Sequence, residues 1–283
     1  MAKQKREVEV VVLSDIHLGT YGCHAKELVA YLKSVSPKVL ILNGDVIDGW
    51  AFSKRYFPNS HMAVLSEFFK MMKKGTQVIY ITGNHDEFLR KYTDLSMGNL
   101  FLTDKYLLEI EGKKHWIFHG DVFDHTTSGS AKFIAKLGGM GYDWLILVNR
   151  AINWILEKFG KGKVSLSKKV KNSVKKAVKF IGDFEKKATE IAINNHYDYV
   201  ICGHIHQPAD KIWTTEKGSV HYLNSGDWIE NLSWFEFDKG NWNLKFFNEK
   251  DFEKPIIEKN DISVNMEELI HPKVFAEFAT QKV

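Results

Sequence analysis

Five apolar, strand-like runs in this chain stop at the same kind of residue: a carboxylate, an imidazole or an amide, beside a glycine. EVEVVVL runs into SDIHLG, KVLIL into NGDVID, TQVIYIT into GNHD, HWIF into HGDVFD, and YVIC into GHIH. The polar ends are Asp15 and His17; Asp45 and Asp48; Asn84, His85 and Asp86; His119 and Asp121; His204 and His206. Any one of them has an ordinary explanation as a helix cap or a packed histidine. Five in succession do not, because buried acids and imidazoles set this densely are costly unless a counter-charge compensates them.

The runs also fix the fold class. Between the first three lie helical stretches at 25–33 and 62–74, so the strands pair in parallel through right-handed crossovers. A hairpin follows, turning at Glu111-Gly112-Lys113, and three short β segments with glycine turns come late in the chain. In open α/β sheets the functional crevice lies beyond the carboxyl ends of the strands, where these side chains collect. Carboxylate, amide and imidazole donors without a thiolate suit Mn²⁺, Fe or Zn²⁺ better than Ca²⁺ or a soft metal. There are enough donors for two ions, which sit about 3.5–4 Å apart when they share a ligand. Asp45, held in N-G-D, is the natural shared one. Gly44, Gly83, Gly120 and Gly203 fit turns where backbone must come close.

Composition adds boundaries. Of 283 residues, 44% are hydrophobic and 26% charged, as expected of a globular protein with a proper core, and the net charge of +4 is mild. Cys23 and Cys202 form neither a CxxC nor a zinc-ribbon spacing, which predicts a reducing, cytoplasmic setting. The start, MAKQKREVEVVVLSD, lacks a signal peptide's apolar core and cleavage site, and no apolar run reaches the ~18 residues of a membrane span.

A helical, basic segment at 125–195 interrupts the pattern and reads as an inserted helical-hairpin cap within a domain spanning 1–250, with a break near Gly160-Lys161-Gly162. Its first helix is apolar around most of its circumference, through Trp144, Leu147, Ile152, Trp154 and Phe159. The second has a seam at Val170, Val174, Ala177, Ile181, Phe184, Ala188 and Ile191, and lysines elsewhere. Surplus apolar surface beside a lysine-rich face suits an amphiphilic anion or an anionic membrane surface. Base-stacking aromatics are missing from the basic helix, so no nucleic-acid partner is expected. Residues 251–283 read as a peripheral tail with a short helix at 266–278.

The series D-x-H, G-D-x-x-D, G-N-H-D, H-G-D, G-H-x-H resembles the calcineurin-like metallophosphoesterase superfamily from Val8 to about Trp228. That resemblance implies a four-layer α/β/β/α sandwich of two facing mixed sheets flanked by helices. It implies one metal held by Asp15, His17, Asp45 and His206, and a second by Asp45, Asn84, His119 and His204. His85 would stand over the site as a non-ligand that contributes positive charge or a proton to the departing oxygen, with Asp86 orienting it or capping the next helix. Asp48 and Asp121 would orient ligands, and a hydroxide held between the ions would attack phosphorus in line.

The cap's position between H-G-D and G-H-x-H, and NSGDW at 224–228, are similar to UDP-2,3-diacylglucosamine pyrophosphatases of the lipid A pathway. Such enzymes release UMP and a lipid sugar phosphate, and Mn²⁺ is the metal the resemblance implies. By that resemblance, acyl chains would lie in the cap, with Asn84, Lys169, Ser173 and Lys176 near the phosphates, on a protein held peripherally at the inner membrane. This chain departs from the better-known members in carrying His85 where they carry Arg. The alternative is a soluble metal-dependent phosphodiesterase or phosphatase of another substrate. The sequence leaves the oligomeric state open.

Overall fold

The computed structural model describes residues 5–49, 56–123 and 167–255, with side chains of the last segment from 178 onward. Strands β1 (Arg6–Leu13), β2 (Val35–Asn43), β3 (Gln77–Ile81), β4 (Leu95–Met97), β5 (Leu100–Thr103), β11 (Ser233–Asp238) and β12 (Asn241–Phe246) form one sheet, in the order β12-β11-β1-β2-β3-β5-β4. Its centre is parallel from β1 through β5, with antiparallel strands at the margins. Strands β6 (Lys105–Ile110), β7 (Lys113–Phe118), β8 (Tyr199–Cys202), β9 (Ala209–Thr215) and β10 (Gly218–Asn224) form a second, in the order β6-β7-β8-β10-β9.

Period-two patterning explains how the sheets stack. On β1, Val10 and Val12 face one core while Val11 and Leu13 face another. The core between the sheets joins Val10, Val12, Ile41, Ile79 and Ile81 of the first to Ile117, Ile201 and Leu223 of the second. Outside the first sheet, helices α1 (Ala25–Ser34) and α2 (Asn59–Lys73) bury Leu28, Val29, Leu32, Val64 and Phe68. Helix α1 carries Glu27 in its first turn and Lys33 in its last, both favourable to the helix dipole.

Outside the second sheet, helix α3 (Ser167–Asn194) packs Phe184, Ala188, Ala192 and Ile193 against Val200, Cys202, Val220 and Tyr222. The layers are therefore helix, sheet, sheet, helix.

The helices and hairpin follow the sequence closely. The hairpin turns where expected, with Glu111 at φ 52° and Gly112 at φ 73°, the left-handed pair that a two-residue turn demands. Three differences have physical causes. The β4–β5 hairpin escapes sequence reading because all of Leu95–Met97 is exposed, leaving no alternation to see. On α3 the predicted seam drifts: Ile191 is 37% exposed, and the buried stripe runs through Phe184, Ala188 and Ala192 with Glu185, Thr189 and Ile193 beside it. Beyond residue 250 the chain does not leave the body at once, since Phe252 stacks on Phe247 at 4.8 Å. The apolar helix expected around 144–159 and the one at 266–278 lie outside the described residues. No helix among the described residues is long and apolar enough to cross a membrane.

Candidate metal centre

All five polar strand ends meet at one edge of the sandwich. Strands β1, β2 and β3 run parallel in one sheet, and β7 and β8 run parallel in the other. Their carboxyl ends face each other across the inner core. Two groups of ligand-type atoms result, each drawn from both sheets: Asp15, His17 and His206, and Asp45, His119 and His204, with the atoms of a group within 4.8 Å of one another. A third group joins His17, Asp48 and His85.

The backbone is bent to make this possible. Asp15, His17, Asp45, His204 and His206 have φ of 51°, 53°, 52°, 68° and 53°, the left-handed region that costs a non-glycine residue about 1–2 kcal/mol. Cross-links between loops hold them there. Asp15 N donates to Gly44 O at 3.1 Å and His17 N to Asp45 O at 2.9 Å. His204 N donates to Asp15 Oδ2 at 3.0 Å, and His85 N to Asp45 Oδ1 at 2.7 Å. Gly83 and Gly203 are held to glycine by the site's own carboxylates. A Cβ on Gly83 would run into the Asp45 carboxylate, and one on Gly203 into that of Asp15.

Charge is concentrated and balanced. Asp45 Oδ2 lies 3.2 Å from His119 Nε2 and 4.0 Å from His17 Nε2, and Asp15 Oδ1 lies 3.1 Å from His206 Nε2. Burial alone would raise the Asp15 carboxyl, but His206 and His119 outweigh it and hold it at about 2. Burial is likewise overcome at Asp45, where His119, His17 and His85 push the carboxyl well below its ordinary range. The imidazoles respond in kind. Burial would lower His119 and His206, yet Asp45 and Asp15 lift His119 well above its usual value and His206 to about 9. His85 is raised too, since its hydrogen bond to Asp48 and the charge of Asp45 exceed its burial cost. Asp48 is lowered against burial by hydrogen bonds with His17 and His85, at 3.5 and 3.0 Å.

These residues fit divalent cations by a direct criterion. Asp15 Oδ1, His17 Nε2, Asn84 Oδ1 and His119 Nε2 are buried, and none makes a hydrogen bond of good geometry. Each such atom costs about 1–3 kcal/mol if nothing satisfies it. The four fall across both expected ligand sets. Their histidines hold a second bond as ligands do: His119 Nδ1 sits 2.9 Å from Asn43 O.

A family model described as calcineurin-like phosphoesterase matches residues 8–208. The chain belongs to that family. It is a metal-dependent phosphoester hydrolase with an α/β sandwich fold. It is similar to a UDP-2,3-diacylglucosamine hydrolase of Blochmanniella pennsylvanica, 24% identical over 84% of this chain and 96% of that one. It is similar also to one from Aliivibrio fischeri, 23% identical over 81% and 94%. A solved archaeal phosphodiesterase aligns at 15% identity and TM-score 0.39 over 84% of this chain and 98% of that one, a likeness too slight to argue from.

Some residues of this phosphoesterase occupy places other than those expected. Asp86 does not cap the short 3₁₀ helix Glu87–Tyr92 with its side chain. Its carboxylate accepts from Gly83 N at 2.6 Å, Val46 N at 3.0 Å and the Tyr80 hydroxyl at 2.6 Å, pinning the GNHD turn to the NGD turn. The carboxylate beside the His85 ring is that of Asp48, 3.0 Å from Nδ1. Asp121 accepts from Arg90 Nη2 at 2.8 Å and lends His119 only its charge. Lys169, Ser173 and Lys176 belong to the stretch of α3 whose side chains lie outside the described residues.

Sequence reading also missed Asp227, fully buried 3.9 Å from His206 Nδ1. The signal was present, because NSGD follows β10 just as NGD follows β2.

Proposed function

We propose that the chain cleaves the pyrophosphate of UDP-2,3-diacylglucosamine to UMP and 2,3-diacylglucosamine 1-phosphate, using two Mn²⁺ ions. The observation that carries the chemistry is the pair of donor clusters built from both sheets, with their orphaned buried oxygens and nitrogens. The substrate reading is supported by relatives of that name along most of the chain. Asp15, His17, Asp45 and His206 would hold one ion, and Asp45, Asn84, His119 and His204 the other. When bound, two such ions offset phosphoryl charge and make water acidic enough to attack near neutral pH.

The chain's own residues do the rest. The buried carboxylates of Asp45 and Asp15 give the site the negative charge that retains cations, which would take over from the imidazole protons as counter-charge. His85, whose ring Nδ1 lies 3.0 Å from Asp48 Oδ2, offers positive charge or a proton to the departing phosphate oxygen. Phosphate contacts from Lys169, Ser173 and Lys176, acyl binding by the segment around 144–159, and attachment to an anionic membrane surface belong to the same reading.

The test compares UDP-2,3-diacylglucosamine in mixed micelles with bis-p-nitrophenyl phosphate, each with Mn²⁺ and with chelator. UMP release from the lipid, abolished by chelation, is the expected result. Turnover of the small ester alone would keep the two-ion chemistry and discard the lipid substrate.

A further inference from the structure

The loop at 225–232 crosses from β10 in the second sheet to β11 in the first, at the edge where the donors collect. It is fastened to β1 at one end. Ser14 Oγ lies 2.7 Å from Ser225 Oγ and donates to Gly226 O at 3.0 Å, and Trp228 N donates to Asp15 O at 3.1 Å. It is fastened to the GHIH turn at the other. Asn231 Nδ2 donates to His206 O at 2.9 Å and also to Asp227 Oδ2 at 2.6 Å.

Asp227 is held in turn by the loop's own backbone. Its Oδ1 accepts from the amides of Ile229 at 2.7 Å and Asn231 at 3.2 Å, and its Oδ2 faces His206 Nδ1. The loop thus ties together the two sides of a single donor cluster, Asp15 from one sheet and His206 from the other.

We propose that Asp227 and Asn231 are positioning residues that hold His206 in register with Asp15 for cation binding. The reading rests on the two-ion site proposed above. His206 stands at φ 53°, a conformation that persists only where neighbours impose it, and Asn231 grips the carbonyl of that residue. An imidazole that ligates through Nε2 carries its proton on Nδ1, and a carboxylate facing that proton fixes the ring and raises its basicity. Asp227 Oδ2 lies 3.9 Å from Nδ1, beyond hydrogen-bond length, so it acts there through its negative charge while Asn231 supplies the direct grip. The loop's hydrogen bonds given above run to Ser14, Asp15 and His206, and none of them to Asp45 or His119.

The experiment is calorimetric titration of the chelator-stripped full chain with Mn²⁺ alone, with the metal-free thermal midpoint measured alongside. The unsubstituted protein should bind two equivalents in two resolvable steps, and a total stoichiometry below two would overturn the two-ion reading before any variant is made, and this inference with it. Asn231→Ala and Asp227→Asn are each expected to weaken one step by about 10-fold or more while leaving the other nearly unchanged. His204→Ala, as a reference, should weaken the other step. Equal weakening of both steps, or a lowered thermal midpoint with both steps intact, would reduce the loop to a structural role and overturn the inference.

Discussion

Strand β7 carries one histidine within its length and another just past its end, and the two meet opposite electrostatic surroundings. His115 and His119 are each 1% exposed, and in each the Nε2 atom makes no hydrogen bond. His115 Nδ1 sits 3.1 Å from Lys113 O and 3.2 Å from Leu108 O, and its ring stacks on Tyr199 at 4.4 Å. Burial lowers its pKa, and the backbone acceptors only partly offset that. His119 faces Asp45 and Asp15 and is driven the other way. A buried imidazole with an unsatisfied nitrogen is therefore not by itself a ligand. Ionised carboxylates held against it make the site, and they come from a different sheet.

Substituting the two histidines should give the largest contrast. His119→Ala is expected to cut turnover of bis-p-nitrophenyl phosphate with added Mn²⁺ by about 10²–10³-fold, the scale of losing one electrostatic contributor at a reacting phosphoryl group. His115→Phe, which keeps the stacking, should stay close to the unsubstituted rate. Comparable losses in both would break the comparison.

A second contrast concerns glycines. Gly83→Ala forces a Cβ into the Asp45 carboxylate, whereas Gly182→Ala on α3 meets nothing within 4 Å. Urea unfolding should show a loss of about 1–3 kcal/mol for the first, together with reduced bound metal. The second should be neutral or gain up to about 1 kcal/mol from helix propensity.

A third contrast is a pH dependence at His61, another histidine buried away from the carboxylates. It is 2% exposed, its Nδ1 accepts from Gly19 N at 2.9 Å, and burial lowers its pKa from 6.5 to about 4. Its folded value lies below its unfolded one, so the unfolded chain takes up the proton first as pH falls. The stability tied to neutral His61 is therefore complete above 6.5 and lost progressively down to about 4. His61→Asn preserves an acceptor that does not titrate. Over that range it should lose less stability than the unsubstituted chain, by about 2 kcal/mol, in urea melts at matched pH. Parallel acid limbs would show that His61 takes up its proton alike in the folded and the unfolded chain.

Much of this is legible in the sequence alone, because strand and helix periods and the polar stops are local properties. The DIH, NGD, GNHD, HGD and GHIH stops appear in the sequence as plainly as in the fold. What stayed hidden involves partners distant along the chain. Nothing around Asp121 announces Arg90, 31 residues earlier. Nothing around His206 announces that Asn231 grips its carbonyl. Ile191 fits the seam read from the sequence, yet it is Ala192 and Ile193 that meet the second sheet.

By itself, then, the sequence determined that five strands deliver acids, imidazoles and an amide to one end of an α/β fold, and hence the class of chemistry. Which donors share a cluster was decided by the tertiary structure. Period-two patterning says that Val10, Val12 and Ile41 face one way and Ile117, Ile201 and Leu223 another, but only packing sets those faces against each other. Their contact brings Asp15 to His206 and Asp45 to His119, pairs 191 and 74 residues apart by subtraction of their numbers. Short-range pattern cannot encode that register, because it depends on the volume of side chains from both sheets at once.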